Sequence, residues 1–546
     1  MQTQPPRRWP TTAIVVTVVL ALFLTVVGIA SVIGAITLGR LRAANEDLEE
    51  QIADSRSRIS DLEDQLAAAE DSGDPLADAF GEGGLGDLLG GLLGEGKGEE
   101  GQGGELGDLG ALEDLLGGLL GGLPGDAGGE LGELGELDDL FGGMTGGLDM
   151  GALGECLTTS PEAFPISDES LSAQVDDIAN AVEEVRGLTF PEEIDPVFVT
   201  SEEMGERVRD LAADSYPPEL ADLESRLWVA LGMLEPGYDI FAEQLDLLDG
   251  AVAGYYDPET QELVVSSSSS DEPLNATDQV TLAHELIHAL TDARLQFPDS
   301  IDDPTADPER ARAIQALIEG DATLGMQQFS MGALDLMDQF GMMLDPRVAA
   351  SQEDLSDFPF ILSNGLQLPY LEGMSFACAL FTEGGWEQVD AAYAAPPATT
   401  AEILFPERYL SGWSPGDPPA GGDPGEGWTI LDSIGSQGSI GFGAIDLLNL
   451  FSAPGDDTGA ALDNPRDRVQ AWGGGQARIW SQGEQSAVLL SLVDSKSGDL
   501  RLCDSMVAWE MAAYGNDQPN VIITCDADNV LVGVAPDEAT ATALAG

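Results

Sequence analysis

Histidine and lysine are nearly missing from this 546-residue chain, which has two of each: Lys97, Lys496, His284 and His288. With 98 Asp+Glu against 21 Lys+Arg, the formal net charge is -77. So few bases exclude nucleic acid as a partner and disfavour anionic membrane surfaces. A surface this acidic suits secretion or high salt, and solubility alone accounts for it. The four cysteines, 156, 378, 503 and 525, lack the spacing of a thiolate metal site. An even number outside a reducing compartment permits two disulfides. Three connectivities exist, of which Cys503–Cys525 with Cys156–Cys378 is favoured.

The scarce histidines stand together as His284-Glu285-Leu286-Ile287-His288. This is the HExxH spacing of zinc hydrolases. Helical residues four apart share a face. Asn275-Ala276-Thr277-Asp278 reads as a polar helix start, and Val280, Ala283, Ile287 and Leu290 recur at helical spacing. They predict a core helix over 277–292. Two imidazoles on it can bind one Zn²⁺, with Glu285 beside the metal to take a proton from activated water. The competing reading is a buried helix with two satisfied core histidines. It is weaker, because the chain places no histidine anywhere else.

A catalytic zinc keeps three protein ligands and one open position. No third histidine is left, so a carboxylate must complete the set. Glu319, in Ala316-Leu317-Ile318-Glu319-Gly320-Asp321-Ala322, is the first choice. The stretch from about Pro308 to Phe329 has helical periodicity, and an acid flanked by apolar residues needs a partner. Asp321 and Asp292 are the rivals. Both fit a supporting role instead, with Asp292 continuing the His284/His288 row and orienting an imidazole. Asp292 fits an exposed C-terminal helix acid equally well.

These two segments together resemble the gluzincin type of zinc metallopeptidase, and more closely a group of bacterial neutral zinc metallopeptidases of the HExxH type. Val185-Arg186-Gly187-Leu188, Ala253-Gly254-Tyr255-Tyr256-Asp257-Pro258-Glu259-Thr260, Gly384-Gly385-Trp386 and Pro406-Glu407-Arg408-Tyr409 are similar to weaker features of that group. The resemblance covers roughly 170–480. It implies an α+β, zincin-like fold with two lobes around the metal. His284, His288 and Glu319 are the implied ligands, and Glu285 the implied base. Where the group's pattern has a histidine before Pro-Glu-x-Tyr, this chain has Phe405. A donor for the oxyanion must then be a tyrosine or arginine. Tyr370 and then Tyr409 lie where gluzincins place such a group. Gly254-Tyr255-Tyr256 and Leu263-Val264-Val265 flank a turn signal and read as a hairpin. A peptide substrate could add to its outer edge.

One apolar run, Thr12 to Leu38, carries no charge and is long enough to span a bilayer. It reads as a signal anchor with 1–11 inside and the rest outside; a cleaved signal peptide is the alternative. Leu41, Asn45, Leu48, Ile52, Ser55, Ile59, Leu62 and Leu66 step by four and three, predicting a coiled-coil stalk over 41–70. It could pair two chains as a homodimer or stand as a lone helix. Residues 71–155 are glycine, leucine and acids, with Leu85–Gly94 nearly repeated at Leu112–Gly121. Clustered glycine disfavours helix, so this reads as a disordered tether. The catalytic region is expected over 156–414, with Leu223–Leu234 an amphipathic helix. Pro415 to Gly427 is a plausible boundary. An α+β subdomain over 428–546 is expected beyond it, with strands near 477–479, 487–493, 521–525 and 530–534 and helices near 503–513 and 536–544. The sum is a single-pass membrane protein with an extracytoplasmic zinc peptidase. A degenerate zincin acting as a cell-envelope scaffold is the alternative.

Overall fold

The computed structural model describes residues 164–167, 170–215, 218–243, 252–267, 273–298, 307–343, 358–432, 438–514 and 520–546, with Cys156, Leu245 and Asp345. The anchor, stalk and tether expected over 12–155 lie outside these residues. No helix among the described residues is long and apolar enough to cross a membrane.

The fold is α+β, with two separate sheets. It opens with α1 (Leu171–Arg186), β1 (Val197–Val199), α2 (Ser201–Ser215) and α3 (Pro218–Ala230). The helix expected over Leu223–Leu234 thus starts earlier and stops at Ala230. The stop follows from Gly232, whose left-handed φ of 76° ends the helical path. Then come β2 (Gly254–Asp257) and β3 (Glu262–Ser266). They form the expected antiparallel hairpin, and β1 joins β3 in parallel to give the order β1-β3-β2. Asp257 builds the turn by accepting from Glu259 N at 2.9 Å and Thr260 Oγ1 at 2.6 Å.

Next are α4 (Ala276–Leu295) and α5 (Pro308–Ala333). Asn275 caps α4 by accepting from Asp278 N at 3.0 Å, as its sequence predicts. Asp307 caps α5, with Pro308 at its first position. Every residue from Thr277 to Thr291 on α4, and from Ala316 to Ser330 on α5, is buried. Such helices have no solvent face, so their polar residues must find partners inside. After α6 (Leu336–Met343), the long α7 (Phe360–Ala394) crosses α5. Gly320 and Gly373 meet at that crossing. A methyl group on either would overlap backbone of the other helix: the Gly373 carbonyl in one case, the Ala316 carbonyl in the other. α7 breaks at Gly384-Gly385, where Gly385 has φ 66°.

The remaining elements are α8 (Thr400–Leu404), α9 (Pro406–Leu410), β4 (Thr429–Ile430), β5 (Ser439–Gly441), α10 (Ala444–Ser452), α11 (Pro465–Val469), β6 (Trp472–Gln482), β7 (Gln485–Asp494), α12 (Leu502–Tyr514), β8 (Asn520–Cys525), β9 (Asn529–Ala535) and α13 (Glu538–Ala545). The strands and helices expected after residue 470 are all present. The second sheet runs β4-β6-β7-β9-β8, with β5 also on β6, and is antiparallel throughout. The Pro415–Gly427 stretch lies along it, with Gly416 N donating to Gly473 O and Gly422 N to Leu544 O. One apolar core joins Leu227 and Trp228 of α3, Leu368 of α7, Phe442, and Trp472, Val488 and Val532 of this sheet. Both favoured disulfides, Cys156–Cys378 and Cys503–Cys525, are formed.

The start of α5 is wired to the C-terminal elements. Arg312 holds Asp446 of α10 through two bonds, at 2.7 and 3.0 Å. Glu309 Oε1 accepts from Thr400 N and Oγ1, both at 2.7 Å. Burial pushes the Glu309 carboxyl up to about 7; Arg312 opposes this and Asp446 reinforces it.

Two outcomes are expected. The folded-state value of Glu309 exceeds the ordinary one, so the folded protein binds this proton more tightly than the unfolded chain. Its stabilising contribution is therefore full below about pH 4.5 and is lost as pH rises to about 7, on the order of 3 kcal/mol in all. Glu309→Gln should flatten that part of the stability–pH curve in denaturant titrations, relative to the parent. Gly320→Ala should lower stability by at least about 1–3 kcal/mol, because neither backbone at the crossing can yield; thermal melts of the two proteins check it.

Candidate metal centre

The sequence spacing places both imidazoles on one face of α4, and α5 brings the carboxylate to them. Glu319 Oε2 lies 3.4 Å from Nε2 of His284 and 3.4 Å from Nε2 of His288. The two Nε2 atoms are 3.0 Å apart. All three residues are buried, with Glu319 only 1% exposed. They form a group that could hold a metal ion. The separations fit: tetrahedral ligands about 2.0–2.1 Å from a zinc ion stand about 3.4 Å from one another. Glu319 Oε2 is also a buried oxygen with no hydrogen-bond donor, the kind of atom that a cation would satisfy.

Charge states favour the same conclusion. Burial drives the His284 imidazole down to about 4. Burial would raise the Glu319 carboxyl, but the two imidazoles beside it outweigh that and hold it low. A neutral imidazole and an ionised carboxylate are the forms that bind metal.

Glu285 sits one residue round the helix, also buried. Its carboxyl lies beside the backbone of Tyr256 on β2. Its Oε2 has no partner. Burial first, and the Glu319 charge second, push its carboxyl well above the usual range. Gly254 lets β2 come this close: a Cβ there would stand 3.0 Å from Thr281 Cγ2 and 3.2 Å from Glu285 Cγ. β2 is an edge of its sheet, so the hairpin edge expected from the sequence does border Glu285.

Tyr370 of α7 is wholly buried beside the group. Its ring lies 6.1 Å from that of His284, and burial first, with the charges of Glu319 and Glu285 after it, pushes its phenol well above the usual range. Tyr409 is not brought there. Its hydroxyl donates to the Ala395 carbonyl at 2.9 Å and its ring packs edge-on against Phe376. It packs on the apolar cluster that includes Ala313 and Leu317 of α5. Phe405 is a core residue that packs under the Arg408 guanidinium.

The two supporting acids also differ from expectation. Asp292 accepts from Tyr256 Oη at 2.9 Å and Phe297 N at 3.4 Å. It anchors the hairpin to α4 and reaches His288 only through its field. Asp321 is two residues from Glu319, which on a helix is the opposite side. It lies 2.9 Å from Arg186 Nε, receives a hydrogen bond from Arg186 Nη2 at 3.1 Å, and accepts from Tyr393 Oη at 2.6 Å. Arg186 also binds Asp390 at 2.7 Å and its guanidinium lies 4.0 Å over the Trp386 ring. This buried cluster ties α1, α5 and α7 together behind the metal group. Sequence reasoning missed it, because no local pattern links residues 186, 321 and 390.

No family model, no curated protein and no solved structure matches this chain. The site therefore rests on its own geometry.

Asp321→Asn should destabilise the fold by about 3–5 kcal/mol, the cost of leaving a buried charge short of its partner. Metal uptake by the folded fraction should remain as in the parent. Denaturant curves and metal analysis of the same preparations test both halves.

Proposed function

We propose that this chain is a zincin-like, zinc-dependent peptidase, held at a membrane by residues 12–38 with its catalytic part outside the cytoplasm. The observation that carries the proposal is the convergence of His284, His288 and Glu319, with the Glu285 carboxylate next to them. Two imidazoles and one carboxylate make an open catalytic zinc set, and three protein ligands leave a position for water or substrate. Bound there, Zn²⁺ supplies Lewis-acid polarisation of a carbonyl and lowers the pKa of water to about 7.

The chain's own residues do the rest. Glu285 takes the proton from the attacking water, and its raised affinity for protons suits it to pass that proton to the leaving amine. Burial of the group keeps bulk water from competing with the reaction. The β2 edge offers main-chain groups to an extended peptide beside Glu285. The stalk over 41–70 would pair two such chains.

A second reading is a non-catalytic zincin in which the metal clamps α4 to α5 within a cell-envelope scaffold. The closure of the site favours it, since neither imidazole nor either carboxylate exceeds 2% exposure.

The two readings part on one experiment. Full-length protein is analysed for metal, then incubated with a peptide library alongside Glu285→Gln. The expected result is about one zinc per chain in both, with cleavage by the parent and a loss of about 10²–10⁴-fold in the variant. Zinc without cleavage supports the clamp, and absence of metal from both proteins removes both readings.

A further inference from the structure

We propose that Arg478 and Ser491 form a binding site for a carboxylate, on the face of the second sheet that α13 covers. The proposal is independent of the metal reading and goes beyond it.

The alternation of β6 sorts its side chains. Ala477 and Ile479 point into the main apolar core, with Val488 and Leu490 of β7. Arg478 and Trp480 point the other way. There Trp480 packs with Ala487 and Leu489 of β7 and with Ala541 and Leu544 of α13. The register sets Arg478 opposite Leu489 and Gln476 opposite Ser491. Arg478 and Ser491 are therefore diagonal neighbours on one face of the sheet.

Both carry buried polar atoms with nothing to bond. Ser491 is fully buried, and its Oγ has no partner. Arg478 Nε and Nη2 are buried and equally without a partner, while the guanidinium faces the Trp480 ring at 5.7 Å. Arginine does not shed its charge, so a desolvated guanidinium edge calls for an anion. The chain has 98 Asp+Glu, yet no carboxylate among the described residues takes this edge. The Pro415–Gly427 stretch passes over the same face: Gln476 Nε2 donates to the Pro419 carbonyl at 3.4 Å, and a Cβ on Gly421 would stand 2.4 Å from Leu489 Cδ2. That stretch carries Asp417, Asp423 and Glu426, and none of them pairs with Arg478.

The same fold shows what such an edge accepts. Arg186 uses its own Nε and Nη2 on Asp321, at 2.9 Å to Oδ1 and 3.1 Å to Oδ2. A carboxylate is planar and meets this fork with two oxygens. Its remaining lone pairs suit the Ser491 hydroxyl as donor. Chloride, with a single centre, fits the fork less well. The acidic chain repels anions at long range, but physiological salt screens this beyond about 8 Å, so the oriented donors decide at contact. Arg478 as a residue is partly exposed, which gives a small acid a way in.

Acetate is the probe. Full-length protein is melted in rising sodium acetate at neutral pH, with sodium chloride holding the ionic strength constant. A ligand bound by the folded state alone raises the melting temperature once its concentration passes Kd. Acetate should do this for the parent. Arg478→Lys keeps the charge but loses the fork, and should weaken the apparent Kd at least about tenfold. Ser491→Ala should weaken it about 2–10-fold, the worth of one hydrogen bond, and keeps the test decisive should Arg478→Lys not fold. Arg226→Met removes an arginine paired with Asp222 and should leave the acetate response as in the parent. A parent that melts alike in acetate and chloride overturns the proposal. So does an acetate response that survives undiminished in Ser491→Ala and Arg478→Lys, and so does a response to inorganic phosphate with none to acetate.

Discussion

A carboxylate with almost no exposed surface must meet positive charge or a set of donors, or give up its own charge. Glu319 is that carboxylate, and much of the fold is arranged around it. α4 over 277–291 and α5 over 316–330 are buried on every side, so neither stretch can turn a polar group out to water. There the imidazoles on one helix face the acid on the other at 3.4 Å. A cation among them converts a costly burial into a favourable one. The Gly320–Gly373 crossing brings the backbones of α5 and α7 together next to Glu319.

The scarcity of bases gives this arrangement a second layer. With 21 Lys+Arg against 98 acids, most carboxylates can have no basic partner, and the arginines near the core are placed with economy. Arg186 serves Asp321 and Asp390, Arg312 serves Asp446, and Arg466 pairs with buried Glu372. Each joins elements far apart in sequence, and each uses the fork geometry that lysine lacks. Arg408 goes further and donates to the carbonyls of Trp472 and Gln470. Internal cohesion therefore relies on a few desolvated guanidinium groups, while the acidic surface contributes solubility.

Local signals made the centre legible. The Asn275 cap, the four-residue histidine spacing and the apolar rhythm of 280–290 all lie inside one helix, and the hairpin before it carries its own turn chemistry. Glu319 could be chosen because an acid inside an apolar helical run is costly to bury unless a cation or a donor meets it. What failed was the reading of neighbours by proximity in sequence. Asp321 looked like a helper because it is near Glu319 along the chain, yet helical geometry turns it to the far side. Tyr409 looked equivalent to Tyr370, but only the latter rides on the helix that crosses α5. The Arg186 partner of Asp321 comes from 135 residues away, a distance over which periodicity carries no information.

The Cys156–Cys378 bond has a mechanical meaning. It joins the last residues before the domain to α7, and the covalent loop it closes contains His284, Glu285, His288, Glu319 and Tyr370. Tension applied through the preceding segment enters α7 at Cys378 and need not run through residues 157–377. The candidate metal group sits in a shunted part of the chain, shielded from pull, and a single backbone nick inside the loop would leave both fragments covalently attached.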